Sequence, residues 1–187
     1  SQLRHHLEVQ RMSKSKGNVV NPDDWVSRHG ADAVRAYLMF GFDWQKGGPW
    51  DSSGIQGVVR WLQDVWEIVD GGPPEGPVED SVTRQIERRV HQTIDRVHQS
   101  IEDFSFNTAI AALMALRNDL RGAARDGGLD ADAWRSAISV MLRLMAPITP
   151  HIAEELWERT GGDYSIHDAA WPEYDADKAA EETVTLV

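Results

Sequence analysis

The chain has 187 residues, a net charge of −11 and a hydrophobic fraction of 41%, with eight tryptophans and no cysteine. This composition excludes a disordered chain, and the lack of cysteine excludes disulfides, a thiolate nucleophile and a cysteine-based zinc site. No apolar run reaches the roughly 20 residues that a bilayer span needs, so we expect no membrane contact and a reducing, cytoplasmic location.

The acidic charge is distributed unevenly along the chain. Residues 51–80 and 146–187 carry net charges of −6 and −8, whereas residues 1–50 and 81–145 carry +2 and +1. A uniformly acidic surface repels nucleic acid, but a local basic face can still bind it. The distribution therefore permits RNA contact on a restricted face.

A short strand and a basic loop open the chain. Weak alternation of apolar and polar residues predicts the strand over residues 5–10. The loop, residues 11–18, reads Arg-Met-Ser-Lys-Ser-Lys-Gly-Asn, and Gly17 and Asn18 tolerate the positive φ of a tight turn. Its ammonium groups and hydroxyls suit a polyphosphate, since they supply charge and hydrogen bonds together. The alternative is an ordinary exposed basic turn.

Two short helices and a structured loop complete the first fifty residues. With Asn21 as the N-cap and proline at the first helical position, a helix is predicted from Pro22 to His29. A second helix is predicted over residues 31–40. The Gly-Gly-Pro run at residues 47–49 makes residues 41–50 a loop. This mixture is typical of the end of an α/β domain.

Five amphipathic helices are predicted in the rest of the chain, because apolar residues recur at spacings of three and four. The first is capped by Ser52 or Ser53 and has Val69 as its last apolar residue. The other four are predicted over residues 81–103, 108–122, 131–146 and 150–160. Helices with such short connections predict a mainly α fold, an antiparallel helix bundle that follows the end of an α/β domain.

Local signals predict where several of these helices end. Asn107 and Asp130 are expected to be N-caps, and Gly122 is expected to end the third helix of the bundle. Phe104 is expected to lie on the apolar face of the second. After the fifth helix we expect loop, except for a strand over residues 183–187.

Several residues of types that often mark chemistry are predicted to be structural. His91 and His98 lie two turns apart on one helix, roughly 10 Å by the helical rise, so they cannot share a metal ion and no metal site is predicted. Trp44 and Trp50 are expected to pack their loop rather than to stack on RNA. The tryptophans expected in the core are Trp61, Trp66, Trp134 and Trp157. The acids expected to be solvated are Glu154, Glu155 and Glu158.

Arginines form rows on two of the predicted bundle helices. Arg117, Arg121 and Arg125 are spaced by four residues and share one face of the third helix. Such a row can neutralise RNA phosphates, whereas the alternative is a solvated face balanced by acids, which is favoured for any single arginine. The arginines that flank the second helix are Arg84, Arg88, Arg89 and Arg96. The balancing acids would be Glu87, Asp95 and Asp119.

Several stretches, taken together, resemble the class I aminoacyl-tRNA synthetases. Residues 12–20 resemble the Lys-Met-Ser-Lys-Ser signature loop, and residues 30–35 resemble the Gly-Ala-Asp-x-x-Arg stretch of the leucyl, isoleucyl and valyl group. Within that group, residues 48–62, 145–157 and 171–175 point to the leucyl members. The match covers nearly the whole chain in the family's order.

The resemblance implies a loop that closes over ATP while the carboxylate of leucine attacks the α-phosphate. Lys14 would stabilise the charge that develops on the phosphates, as electrostatic catalysis requires. Arg11 stands where the family usually has its first lysine, and arginine does not replace lysine at a geometry-sensitive site. The implied catalytic residues are Ser13, Lys14 and Ser15. The implied contacts to the ATP phosphates are Arg11, Met12, Lys14 and Lys16.

The family's His-Ile-Gly-His-type signature, nucleotide-binding fold and editing domain do not occur in these residues, so we expect the chain alone to be inactive. The implied parts are the end of the catalytic domain with its stem-contact region (1–50), an anticodon-binding helical domain (51–172) and a linker (173–187). The implied RNA-binding residues are Arg84, Arg88, Arg117, Arg121 and Arg125.

The resemblance also implies the partners. They are leucine tRNA, leucine, and ATP with Mg²⁺ in the parent enzyme; none of the small ligands is expected to stay bound to this chain, which we expect to be a monomer. One alternative is a valyl or isoleucyl enzyme. The other is a helical tRNA-binding module without chemistry, which would not need the basic loop.

Overall fold

A computed structural model of the protein describes residues 10–44 and 46–180, and within these ranges it contains eight α-helices and no β-strand. The helices are α1 (Pro22–His29), α2 (Ala31–Phe40), α3 (Ile55–Gly71), α4 (Asp80–Glu102), α5 (Phe106–Asp126), α6 (Ala131–Met145), α7 (Pro150–Arg159) and α8 (Ala176–Ala179). The predicted mainly α fold is confirmed. The predicted strand over 183–187 lies outside the described residues, as does that over 5–10 apart from Gln10, which has no regular structure.

The core is a single cluster of buried apolar side chains, to which each helix from α2 to α7 contributes. α4 packs along α5 as its antiparallel neighbour, and α2 packs against α3 and α5. Burying each large apolar side chain contributes about 1.5–3 kcal/mol, so the helices are held mainly by these faces. Residues without measurable exposure in this core include Ile55, Val65, Ile110, Leu113, Met141, Leu142, Met145 and Leu156. None of the helices in the described ranges combines the length and the apolar character that a membrane span needs.

Local signals predicted some helix starts correctly. Asn21 accepts a hydrogen bond from the N–H of Asp23 and caps α1. Asp130 accepts from the N–H groups of Asp132 and Ala133 and caps α6. In both cases a short polar side chain satisfies N–H groups that the first helical turn leaves without partners.

The predicted cap of α3 is wrong. The helix begins at Ile55, after Gly54, and neither Ser52 nor Ser53 caps it. Ser53 instead donates from its N–H and its hydroxyl to the carboxylate of Asp51, at 2.9 and 2.7 Å. These hydrogen bonds lower the pKa of Asp51. The serine belongs to a turn before the helix because the aspartate accepts both of its donors.

The predicted bounds of α5 are also wrong. The helix starts at Phe106, so Asn107 lies inside it rather than at its cap, and it continues through Gly122 as far as Asp126. A helical glycine costs about 1 kcal/mol relative to alanine. The buried neighbours Leu120 and Ala123 offset that cost. Gly127, with φ of 80°, ends the helix.

Phe104 does not lie on the apolar face of α4. It is 57% exposed and its φ is 56°, a left-handed conformation that bulky residues rarely adopt. The turn into α5 requires this conformation, since the N–H of Ser105 must reach the carbonyl of Ser100 at 2.7 Å. The ring of Phe104 is thereby turned out and meets Phe106 edge-on, with 5.7 Å between centroids.

The segment after α7 is more ordered than predicted. Asp175 caps α8, and its own N–H donates to Nδ1 of His91 at 3.2 Å. Gln92 donates to the carbonyl of Ala179 at 3.0 Å, so α8 is fastened to α4. This segment was expected to be loop because its helix spans a single turn and has no apolar period.

Two predictions for α7 and the tryptophans need correction. Glu154 is not simply solvated, because it accepts hydrogen bonds from the hydroxyl of Ser165 and the N–H of Ile166. Glu155 pairs with Arg159 at 2.8 Å, whereas Glu158 is exposed as predicted.

Among the tryptophans expected in the core, the two that are fully buried are Trp61 and Trp134, and the two that are half-buried are Trp66 and Trp157.

Candidate functional site

The basic loop forms one tight turn. Lys14–Lys16 make a single 3₁₀ turn, in which the N–H of Lys16 donates to the carbonyl of Ser13 at 3.1 Å. Gly17, with φ of 65°, closes the turn by donating to the carbonyl of Lys14. Glycine suits this position because the left-handed conformation strains any residue with a Cβ.

Asn18 holds the two ends of the loop together. Its Oδ1 accepts from the N–H of Ser13 at 2.8 Å, and its Nδ2 donates to the carbonyl of Arg11 at 3.3 Å. The hydroxyls of Ser13 and Ser15 are hydrogen-bonded to each other at 2.8 Å. Sequence reasoning assigned Asn18 only a turn conformation and missed this clasp, although an amide side chain beside a glycine turn is a usual signal for it.

The side chains of the loop are available to a ligand. Arg11, Lys14 and Lys16 are exposed, and no carboxylate of the described residues lies within ion-pair distance of them. Cations without acidic partners, next to hydroxyl donors, provide charge-assisted hydrogen bonds to phosphate oxygens. Residues 11–18 contain no histidine, carboxylate or thiol, so the groups that the loop offers to a ligand are cations and hydrogen-bond donors.

Beside the loop lies an apolar cleft of about 490 Å³. Met12 forms part of its wall, although this side chain is 45% exposed. Trp50 also lines the cleft, and it packs edge-on against Trp25 and Tyr37, with 5.1 Å between centroids in both pairs. Trp50 thus packs its loop as predicted. Trp44 is 51% exposed and contacts Phe106.

The three arginines of the row on α5 do not share one set of neighbours. Two of them are bonded to a carboxylate of another helix, which the spacing of the row does not reveal. Asp64 of α3 accepts hydrogen bonds from Arg117 and Arg121, at 3.0 Å for Arg121. The side chain of Arg117 is 13% exposed and that of Arg121 is 58% exposed. Arg125 instead pairs with Asp126 of its own helix, and both are exposed.

The arginines of α4 also have neighbours. Arg89 lies 3.6 Å from Asp119, one of the acids expected to balance the row. Burial raises the pKa of Asp119, and the positive charge of Arg89 opposes that shift. Arg84 is exposed and Arg88 half-buried, and each makes interactions of its own. In the described part of the chain no three His, Asp or Glu side chains are grouped so that they could hold a metal ion.

Both halves of the chain match known families. Residues 83–187 match the anticodon-binding domain of tRNA ligase, and residues 4–46 match the tRNA synthetases of class I for isoleucine, leucine, methionine and valine. The first match covers more than half of the chain. The chain belongs to the anticodon-binding domain family of tRNA ligases. All the arginines of α4 and α5 lie within that match.

Similar bacterial proteins carry the name leucine–tRNA ligase. The protein from Dehalococcoides mccartyi is 43% identical over 178 residues, which are 95% of this chain and 22% of that protein. The protein from Rubrobacter xylanophilus is 48% identical over 177 residues, which are 95% of this chain and 21% of that protein. The chain therefore spans about a fifth of the length of these relatives. The resemblance to the leucyl members is confirmed.

A solved structure has the same fold. It is the ternary complex of Agrobacterium radiobacter K84 LeuRS with tRNA and LeuAMS, which matches with a TM-score of 0.79 and 31% identity. The match covers 90% of this chain and 23% of that protein. The bundle and the preceding short helices therefore occur together in a synthetase of the leucyl type.

Proposed function

We propose that this chain supplies the phosphate-binding loop and the tRNA-binding helices of a leucine–tRNA ligase. The observation that carries the proposal is the 43–48% identity to leucine–tRNA ligases, which extends along 95% of the chain and includes both the loop and the bundle. The proposed parent enzyme joins leucine to ATP, giving leucyl-adenylate and pyrophosphate, and then transfers leucine to its tRNA.

In this proposal the basic loop stabilises the negative charge that develops during the reaction. As the carboxylate of leucine bonds to the α-phosphorus, negative charge grows on the departing pyrophosphate. Lys14 would stabilise that charge, with Arg11 and Lys16 beside it, because all three are exposed and lack acidic partners among the described residues. Ser13 and Ser15 would fix the turn through their mutual hydrogen bond, and Met12 would anchor the loop at the apolar cleft. The phosphate contacts proposed for the loop are Arg11, Met12, Lys14 and Lys16.

The bundle would bind tRNA by shape and charge. The solved relative is a complex with tRNA, and the helices here present basic side chains on α4 and α5. We propose that the boundaries of the parts are 1–50 for the end of the catalytic domain, 51–172 for the anticodon-binding domain and 173–187 for a linker. The proposed RNA contacts are Arg84, Arg88, Arg117, Arg121 and Arg125. A Mg²⁺ ion with ATP, a monomeric state and a cytoplasmic location remain predictions.

The test is a graft. The chain replaces the matching stretch of the Rubrobacter xylanophilus leucine–tRNA ligase, and leucine-dependent ATP–pyrophosphate exchange and tRNA charging are measured. We expect the graft to be active, and Lys14→Ala in it to slow exchange by about 100-fold or more, as loss of one transition-state donor does. Lys46→Ala is the matched control, because Lys46 is an exposed lysine paired with Asp43 outside the loop.

A parallel graft addresses the alternative within the family. The same chain placed in a valine–tRNA ligase is expected to leave that enzyme inactive. Activity in the valine host but not in the leucine host would overturn the leucine assignment. Equal activity of Lys14→Ala and Lys46→Ala in the leucine host would overturn the role of the loop. The isolated chain is expected to show no exchange in either assay.

A further inference from the structure

Met12 is the most exposed of the five methionines in the chain. Its side chain is 45% exposed, although it forms part of the wall of the apolar cleft beside the basic loop. Met39 and Met114 are half-buried and pack against the core, while Met141 and Met145 have no measurable exposure. An oxidant in solution therefore reaches the thioether of Met12 more readily than those of the other four.

The backbone on either side of Met12 is held by one side chain. Asn18 accepts a hydrogen bond from the N–H of Ser13 at 2.8 Å and donates one to the carbonyl of Arg11 at 3.3 Å. Among residues 11–18 of the loop, Met12 is the one that lines the cleft. A change in this single side chain can therefore detach the loop from the cleft while the turn itself stays intact.

The lining of the cleft suits a thioether better than a sulfoxide. It includes apolar side chains such as Leu38 and Phe42, and the ring of Trp50, whose Nε1–H already donates to Ser52 at 3.2 Å. The charged side chain in the lining is that of Asp43, a carboxylate that would repel the negative oxygen of a sulfoxide. A strong acceptor in such surroundings gives up hydrogen bonds to water, so it is favoured to return to solvent.

We propose that Met12 is a site of reversible oxidation to methionine sulfoxide, and that the oxidised side chain leaves the cleft and releases the basic loop from it. A hydroperoxide supplies the oxygen: a lone pair of the sulfur forms the S–O bond, the O–O bond breaks, and hydrogen peroxide is reduced to water as the sulfur loses two electrons. In the reverse direction a dithiol returns two electrons through a sulfoxide reductase, the oxygen leaves as water, and the dithiol becomes a disulfide.

The consequence for activity rests on the proposed function. In a leucine–tRNA ligase, a loop without its apolar anchor would hold Lys14 less firmly at the ATP phosphates, so oxidation would slow the activation of leucine and reduction would restore it. The oxidation itself and the release from the cleft depend only on the loop and the cleft, so both are measurable on this chain alone.

The first measurement is the rate of oxidation at each methionine. The folded chain is treated with hydrogen peroxide, and sulfoxide formation is followed by mass spectrometry of proteolytic peptides. We expect Met12 to react at least about fivefold faster than Met39 and Met114, and the two core methionines to react more slowly still, because exposure controls the reaction. Unfolding in urea should remove these differences. Equal rates at all five methionines of the folded chain would overturn the inference.

The second measurement detects release from the cleft. Trp44 and Trp50 both line it, so their indole signals in the ¹⁵N-labelled chain should shift when Met12 is oxidised. Both signals should return after treatment with the two sulfoxide reductases, one for each epimer. Trp134 lines a different cavity, and its signal should stay in place. Met12→Leu should remove the shift, whereas Met114→Leu, the matched control on α5, should retain it.

The third measurement is activity in the leucine-host graft. Peroxide is expected to slow leucine-dependent ATP–pyrophosphate exchange by about fivefold or more, the equivalent of losing one favourable contact of the loop. The two reductases should restore the rate. The host contributes methionines of its own, so the comparison is between variants: Met12→Leu, whatever its starting rate, should lose a smaller fraction of it than Met114→Leu.

The outcomes separate this inference from the proposed function. If the untreated graft does not catalyse exchange, the proposed function fails, while the peptide and indole measurements still decide the inference. If the graft is active but Met12 is not oxidised preferentially, or its oxidation leaves the Trp44 and Trp50 signals in place, the inference is overturned and the proposed function stands. If peroxide inactivates the Met12→Leu and Met114→Leu grafts equally, the loss arises elsewhere in the enzyme, and control of activity through Met12 is overturned.

Discussion

The carboxylate of Asp32, on α2, accepts a hydrogen bond of 2.7 Å from the backbone N–H of Ile152, in the first turn of α7. The N–H of His151 donates to the same carboxylate at 3.4 Å. One turn further along α2, Arg35 donates to the carbonyls of Pro147 and Ile148, just after α6 ends. A single face of α2 therefore caps both sides of the α6–α7 junction and ties the basic-loop segment to the bundle.

Loss of the Asp32 cap should destabilise the protein. Asp32 is 8% exposed, so water cannot fully replace the carboxylate when the first N–H groups of α7 lose it. We expect Asp32→Ala to lower the free energy of unfolding by about 1–2 kcal/mol, as for other lost caps, and Asp32→Asn to lower it by less. Urea denaturation followed by circular dichroism measures the change. Asp24→Ala, at an exposed aspartate of α1, should stay within about 0.5 kcal/mol, and an equal loss in both variants would contradict the capping role.

The clasp of Asn18 should control the basic loop without affecting the fold. Asn18→Ala removes the acceptor for the N–H of Ser13 and the donor to Arg11, all at exposed positions. We expect thermal stability to be unchanged, and exchange of the Ser13 amide with water to be about fivefold faster, the equivalent of one net hydrogen bond. In the leucine-host graft, pyrophosphate exchange should also slow, because the lysines lose their fixed turn.

The control for this prediction is Asn118→Ala, an exposed asparagine of α5 outside the loop. NMR solvent-exchange experiments report the Ser13 amide directly. If that amide exchanged at the same rate in Asn18→Ala and in Asn118→Ala, the clasp would have no role in ordering the loop.

Local sequence signals predicted most of the fold because they act within one or two helical turns. The spacing of three and four residues identified every long helix, and Asn21 and Asp130 marked two starts through side chains that reach their own backbone. The same signals failed where tertiary contacts compete. Gly122 lies inside α5, since burial on either side outweighs its low helix propensity. Phe104 does not lie on the predicted apolar face of α4, because the turn into α5 determines its φ.

The candidate sites could be predicted only in part for the same reason. The basic loop is contiguous, so its cations and hydroxyls were evident from residues 11–18 alone. The bond from Ile152 to Asp32 joins residues 120 positions apart, and the bond from Arg117 to Asp64 joins residues 53 positions apart. No periodicity relates such pairs. The arginine row on α5 was therefore predicted as one surface, whereas Asp64 divides it.

Removal of the Asp64 carboxylate should cost more than removal of an exposed acid. Asp64→Ala leaves Arg117, with a side chain only 13% exposed, without its acceptor. We expect a loss of about 1–3 kcal/mol in the free energy of unfolding, because the largely buried guanidinium can regain little hydration. Urea denaturation measures it. Asp126→Ala is the control, since Arg125 and Asp126 are both exposed and the loss of such a pair should leave stability unchanged. Equal stability of the two variants would show that Arg117 does not depend on Asp64.

The contact of His91 with the segment before α8 should depend on pH. Nδ1 of His91 accepts a hydrogen bond from the N–H of Asp175. This hydrogen bond requires Nδ1 to be unprotonated, and therefore a neutral imidazole ring. Burial lowers the pKa of His91, as does the nearby charge of Lys178, while Asp175 and Glu87 act in the opposite direction. The folded chain therefore binds this proton less readily than the unfolded chain, in which the histidine has its ordinary pKa of about 6.5.

The sign of the pH dependence follows from that difference. The stability due to His91 is fully present above about pH 6.5 and decreases as the pH falls from there toward the lower folded pKa, because the unfolded state takes up the proton first. We expect the melting temperature to fall between about pH 7 and about pH 5.5, and the amides of α8 to exchange faster.

His91→Gln keeps an acceptor but does not titrate, so the melting temperature of this variant should decrease less over this range. His98→Gln, at an exposed histidine of the same helix, should behave like the parent chain. If His91→Gln and the parent chain lost the same stability on acidification, α8 would not be held by this histidine.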